Sequence, residues 1–292
     1  MDPKAVLTKA PQREFCLALG LSEDAAQVCR ANSFSQEKVR EAYRLLSASP
    51  ACFFHTLEGE SPQRILALYV QFAQLLRPVF PLWGICQGIY LDTFGDIGLW
   101  EREYFARYGE HGLDEYPWLS HHVRMELFRL GSLQFQTQSG ALEPVWQAVP
   151  LRPGDLTLHV HIPKGADLSP EAVQSSFQSA LDFWNRDEAV LLCDSWLLGP
   201  ELQALLPPAS RIRSFASGFT LAGTDASSRQ GEERIFGDTL ADPRNYPSAG
   251  TSLQRAARAH LMAGGRLSAG FGWQRIRRQR PAPPPGRCVP FL

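Results

Sequence analysis

The feature that most constrains this chain is a change of hydrophobic period at Gly131. Before it, apolar residues recur at helical spacing, and after it they alternate, so the two stretches cannot belong to the same kind of element. Val39, Ala42, Tyr43 and Leu46 share one helical face, with Ser33 and Gln36 spaced as a capping box ahead of them. Ser61-Pro62 opens a second helix through Ile65, Leu68, Tyr69, Phe72 and Leu76, which Pro78 and Pro81 end. Further helices are expected from Asp96 to Tyr108 and from Leu119 to Leu130. Beyond Gly131, Leu133, Phe135 and Thr137 oppose Gln134, Gln136 and Gln138 as on a half-exposed strand, with Glu143 to Val149 its expected hairpin partner across Gly140.

The next stretch fixes the topology. Leu156, Leu158, Val160 and Ile162 line one face of a strand, and Thr157, His159 and His161 the other. Ser169-Pro170 starts a helix with the stripe Val173, Phe177, Ala180, Leu181 and Trp184. The apolar run Ala189 to Trp196 is then a strand covered on both faces. Strand, helix, strand in this order implies a parallel pair joined by a right-handed crossover. Pro200 to Leu206 reads as a helix, Arg211 to Leu221 as a long strand with a bulge near Gly218, and Glu233 to Phe236 as a short strand. Thr251 to Met262 is helical and stops at Gly264-Gly265; LSAGFGW and RQRPAPPPGRC then lose all periodicity. The expected organisation is a helical domain over residues 1–130, an α/β (α+β) domain over 131–273 and a disordered Arg/Pro-rich tail over 274–292.

Composition narrows the function classes. A chain of 292 residues, 44% hydrophobic and 20% charged, suits two packed domains. A net charge of -1 supplies no global field toward nucleic acid or an anionic membrane. The local cluster Arg275, Arg277, Arg278 and Arg280 lacks interleaved aromatics, so neither partner is expected. Six cysteines without CxxC pairs disfavour disulfides and zinc alike. The opening MDPKAVLTKAPQREF carries no signal-peptide pattern, and no run of about twenty apolar residues is evident, so the expected location is the cytoplasm.

The strings HVHIPKGADLSPEAV, CDSWLLGPELQALLP and SRIRSFASGF carry a resemblance. It extends back to DTFGDIGLWEREYF and LFRLGSLQFQ and forward to TSLQRAARAHLMAGG. They resemble bacterial acyltransferase-domain proteins that pair a helical N-terminal domain with a GNAT-like C-terminal domain, over about Leu91 to Gly265. The resemblance implies a mixed, mostly antiparallel sheet with one splayed parallel strand pair, here Leu156 to Ile162 and Ala189 to Trp196, whose gap admits acyl-coenzyme A. It further implies that backbone N–H groups near Val160 and Ile162 face the thioester. The pyrophosphate would rest on the loop and helix start at Lys164, Gly165, Ala166 and Ser169, where unpaired N–H groups favour anions. The loop departs from the GNAT pattern of Gln or Arg, two residues, Gly, one residue, then Gly or Ala: it has Gly165 alone and inserts Asp167.

Acyl transfer to an amine needs a base for the acceptor, a donor to the developing oxyanion and a proton for the leaving thiolate. His161 at the strand end is the expected base, Asp194 its orienting carboxylate and Ser195 the donor to the thiolate. The blander readings are that His159 and His161 are satisfied sheet histidines, that Cys193 is a small buried residue and that Asp194-Ser195 ends a strand. Asp92, Asp96, Trp100 and Tyr104 share a helix that either reaches toward the acceptor pocket or forms an interdomain contact, the second favoured because a Trp and a Tyr four apart usually bury together, and His121-His122 reads as a solvated edge. The expected function is acyl transfer from acyl-coenzyme A, such as acetyl-coenzyme A, to a small-molecule or peptide amine, without a metal. The alternative is a non-catalytic GNAT-like module that binds a ligand or a protein.

Overall fold

The computed structural model describes residues 12–138 and 141–279. Its contacts divide into two compact units, Met1–Thr137 with His161–Ala166, and Gln138–Val160 with Asp167–Leu292. The first unit is built around the helix Pro62–Leu76, capped by the Ser61 hydroxyl, which accepts from the Arg64 N–H. Its buried Leu66, Tyr69, Val70, Phe72 and Ala73 cover every side of the helix, so neighbouring helices surround it. Pro62–Leu82 is in fact 21 residues at mean hydropathy 1.4, long and apolar enough by composition to cross a membrane. This corrects the expectation that no such run exists; most of it is buried in the fold, as a core helix requires.

The helix Gln36–Ala48 is capped by Ser35, not Ser33. The helix expected through Leu130 instead covers Tyr116–Val123. Met125 takes φ 57, a left-handed conformation that stops the helix. Strand β1 (Leu127–Leu130) follows and pairs antiparallel with β2 (Leu133–Thr137), Leu130 opposite Leu133.

The second unit carries β3 (Thr157–His161, its last residue grouped with the first unit), β4 (Glu188–Ser195), β5 (Thr220–Asp225) and β6 (Ala269–Arg277), in the order β3-β4-β6-β5. β3 and β4 are parallel, joined by the helix Pro170–Phe183, while β6 is antiparallel to both β4 and β5. The α/β fold with a mixed sheet and one parallel pair is therefore present. Over one face of β4, Trp146 and Val149 pack on Val190 and Leu192. Those two residues lie in or beside a 3-10 helix, Pro144–Ala148, where a hairpin strand was expected; Gly140 lies outside the described residues.

Other short elements also differ. Arg211–Ser217 is a helix followed by β5, whose irregularity falls between Leu221 and Gly223, and Gln230–Phe236 is helical. The largest difference is β6, which runs from AGFGW into the start of the supposed tail. A Cβ on Gly270 would stand 2.6 Å from the Leu198 carbonyl oxygen, so close backbone approach demands glycine where alternation would otherwise have shown. The rest of the expected tail, 280–292, lies outside the described residues.

Arg275 of β6 donates through Nη1 and Nη2 to the two Asp155 oxygens at 2.9 and 2.7 Å. This hydrogen-bonded pair holds the Asp155 carboxyl at about 2, below its ordinary value. A carboxyl depressed by folding stabilises the protein above its unfolded value and loses that contribution as pH falls through the folded one. Thermal unfolding at pH 6 and pH 3 should therefore show a larger loss for the wild type than for Arg275→Leu, which starts lower at pH 6. Equal losses would mean that the pair is not linked to folding.

Candidate functional site

Within the second unit, β3 and β4 are in register at three positions only, ending at His159 opposite Leu192. β4 continues for three more residues and stays paired with β6 through Ser195 opposite Gly270. Past the last pair, the parallel strands part on the β3 side while β4 remains held on the other. Val160 is the next residue of β3, and Cys193, Asp194 and Ser195 are the corresponding end of β4.

The three chemical groups at that end of β4 differ sharply. Cys193 is fully buried, which drives its thiol up and keeps it un-ionised. Ser195 accepts from the Leu197 N–H at 3.1 Å, so it closes the strand and still carries a hydroxyl proton to donate. Partial desolvation, then the charges of Glu143 and Asp225, hold the Asp194 carboxyl above its ordinary range. His159 lies edge-to-face on Trp146, at 5.9 Å between ring centroids, and its Nε2 meets the Gln138 amide oxygen. Burial keeps it neutral.

The start of the helix Pro170–Phe183 is occupied by the chain itself. Ser169 caps it by accepting from the Ala172 N–H. The Ser169 N–H and hydroxyl both donate to Asp167, at 2.9 and 3.0 Å, and Arg211 donates to the same carboxylate at 3.0 Å. These donors, the Ser169 backbone N–H foremost, keep Asp167 ionised. A carboxylate thus stands at the helix start where the resemblance implies a phosphate. Beside it, Leu168, Pro170, Val173, Phe177 and Phe215 line most of a cavity of about 120 Å³ that Gln274 reaches from β6.

Within the first unit, the segment His161–Ala166 begins with the candidate base. His161 Nε2 lies 3.0 Å from the Gln136 amide oxygen, and its ring meets Trp118 edge-to-face, with centroids 4.8 Å apart. Gln136 also reaches His121, which contacts Glu126 at 2.9 Å. The Trp118 indole N–H donates to Asp96 at 3.0 Å, and Asp96 pairs with His122 at 3.2 Å. His122 is 1% exposed, so the expected solvated edge is a buried partner of Asp96. Ala166 N–H donates to the Pro163 carbonyl, closing a turn around Lys164 and Gly165. Gly165 takes φ 78 there, the third-position conformation of a type II turn. Lys164 is bound by both carboxylate oxygens of Glu103, at 2.7 and 2.6 Å. Ile162 is half-buried.

Of the residues singled out from sequence, Val160, Asp194 and Ser195 lie at the strand ends beyond the last β3–β4 pair, and Lys164, Gly165 and Ala166 share one turn. Asp194 has Glu143 and Asp225 around it. Sequence reasoning missed Trp118, Gln136 and Glu126, preferred a packing part for Asp96 over a place near the acceptor pocket, and gave His122 no chemical part. A usable signal was present: Gln134, Gln136 and Gln138 alternate as do His159 and His161, and each glutamine meets a histidine, Gln134 with His122 at 3.5 Å. Among the described residues, no group of three or more His, Cys, Asp and Glu is arranged to hold a metal.

This fold, with its parted parallel pair, matches a family model described as a GNAT-like C-terminal domain over residues 127–274. Residues 10–125 match an N-acyltransferase N-terminal domain. The chain belongs to this family of proteins. Solved structures agree in fold. One described as an acyltransferase in complex with decanoyl-CoA and teicoplanin aligns at TM-score 0.73 and 22% identity, over 94% of this chain and 91% of that one. Another, an acyltransferase in complex with CoA and 10C-Teicoplanin, aligns at TM-score 0.71 and 23% identity, over 91% and 89%. No protein of curated function matches the chain.

The Asp167 carboxylate opposes any anion brought to the helix start. Like charges a few ångströms apart in water-like surroundings repel enough to weaken a binding constant about fivefold. Asp167→Asn should therefore tighten coenzyme A binding by about that factor in calorimetry, and unchanged affinity would place the phosphates elsewhere.

Proposed function

We propose that this protein transfers an acyl group from acyl-coenzyme A to an amine acceptor by direct attack. The observation that carries the reading is the early end of the β3–β4 register within a GNAT-like domain, while β4 remains paired with β6. Strand ends that part in this way offer backbone N–H groups to a thioester oxygen, as electrostatic stabilisation of an acyl-transfer intermediate requires. The turn at Gly165 supports the pyrophosphate end of the reading, since nothing stands within 4 Å of the place a Cβ would take there.

In this reaction the acceptor nitrogen attacks the thioester carbonyl carbon, and the C–S bond breaks as the C–N bond is kept. His161, the residue that follows Val160 along β3, takes the proton that the nitrogen loses. The departing thiolate is protonated in turn through the Ser195 hydroxyl, which passes on a proton and regains one from solvent. Asp194, lying between Glu143 and Asp225 in charge, is better suited to attracting a cationic amine than to orienting an imidazole. The structures similar in fold are described with CoA, decanoyl-CoA and teicoplanin, which supports a small-molecule acceptor and an acyl chain longer than acetyl as first choices.

The second reading, a GNAT-like module without catalysis, is favoured by one feature: both loop charges are already paired, Lys164 with Glu103 and Asp167 with Arg211. Calorimetric titration with coenzyme A, acetyl-coenzyme A and decanoyl-coenzyme A separates the two. Binding that Gly165→Glu abolishes supports the enzyme; no binding of any of the three supports the module. With an amine acceptor in hand, His161→Ala should lower kcat by about 10²- to 10⁴-fold while KM for the acyl donor changes little. A kcat within twofold of wild type would remove His161 as the base.

A further inference from the structure

We infer that Trp118, pinned by the buried Asp96–His122 pair, is the positioning residue for the His161 imidazole. The inference rests on the reading of His161 as the base of the proposed transfer.

Asp96 and His122 are each 1% exposed and lie on different helices, Asp96–Tyr108 and Tyr116–Val123. A buried polar pair is poor evidence of added stability, because taking its groups out of water offsets most of their attraction. Gln134 reaches both members of the pair, and the atoms Asp96 Oδ1 and His122 Nδ1 are buried without a hydrogen-bond partner, each at about 1–3 kcal/mol by general experience. A core serving stability alone would fill the same volume with apolar side chains. What the pair supplies is a fixed acceptor, Asp96 Oδ2, for the one hydrogen-bonding group of an indole.

The indole so held has one chemically interesting neighbour. Trp118 touches three histidines edge-to-face, at centroid distances of 6.0 Å for His121, 5.7 Å for His122 and 4.8 Å for His161. Of these His161 is the nearest, and its Nε2 is held separately by Gln136. A ring fixed at one nitrogen by an amide and flanked by an immobilised indole has little freedom about its torsions. Gln136 is backed by His121 and Glu126, and Glu126 by Arg124 at 2.6 Å. Supports of this kind decide whether a general base meets its proton at a productive distance, and misplacement by about 1 Å can cost about 100-fold in rate.

The test compares Trp118→Leu, which removes both ring and N–H, with Trp118→Phe, which keeps an aromatic edge and removes only the N–H. Trp118→Leu should lower kcat by about 10- to 100-fold with KM for the acyl donor within about twofold, and Trp118→Phe, an aromatic edge no longer pinned to Asp96, should recover only part of that loss. Nitrogen-15 spectra of the His161 ring, read without any substrate, should change from one dominant tautomer in the wild type to a mixture in Trp118→Leu. The proposal is overturned if the Trp118→Leu ring spectrum matches wild type, or if both variants lose kcat in step with their unfolding temperature. Should Trp118→Leu fail to fold, Trp118→Phe decides: a tautomer mixture with kcat lowered more than about threefold at an unchanged unfolding temperature upholds the pinned support, and the wild-type tautomer with kcat within about threefold refutes it. If the wild type transfers no acyl group at all, the functional reading fails, while the ring spectra still settle whether Trp118 holds the imidazole.

Discussion

Much of this structure depends on how unequally β4 is held by its two neighbours. On one side, β6 pairs with it from Glu188 through Ser195; on the other, β3 is in register from Thr157 to His159 alone. A strand clamped along its whole length on one edge can end its other pairing early without losing its place in the sheet. Cys193 stays fully buried at the parted end, and Ser195 is fixed by the Leu197 N–H. The opening is thus bordered by rigid β structure, which holds reacting groups more closely than a loop does.

Much of that framework is legible in the sequence. The alternation at Leu158 and Val160, the Ser169-Pro170 start and the apolar run through Cys193 each specify one element, and each stands where the pattern puts it. Elements whose local pattern serves a tertiary need are harder to read. β6 has glycines where it passes Leu198, so its alternation is erased by close packing. Arg211 to Leu221 contains Ile212, Phe215, Phe219 and Leu221, enough to imitate a strand, yet Phe215 belongs to a helix of about two turns and packs at a tilt on Phe219 just beyond it.

The candidate site divides in the same way. Residues at strand ends were found because the strands were found. Partners brought in from distant sequence were not: Asp96 meets Trp118 and His122 across 22 and 26 positions, and an isolated acidic residue in a helix carries no trace of such a liaison. Charge was the least transferable clue. Lys164 looked like a phosphate ligand by position, and in the fold its ammonium is claimed by Glu103.

The chain enters the first unit twice, through Met1–Thr137 and again through His161–Ala166. A fragment starting beyond Thr137 would inherit the imidazole without Trp118, Gln136 or His121, and one stopping there would inherit the holders without the imidazole. Exchange of halves between relatives at that border would therefore separate a histidine from its setting, so the two stretches have reason to be passed on together.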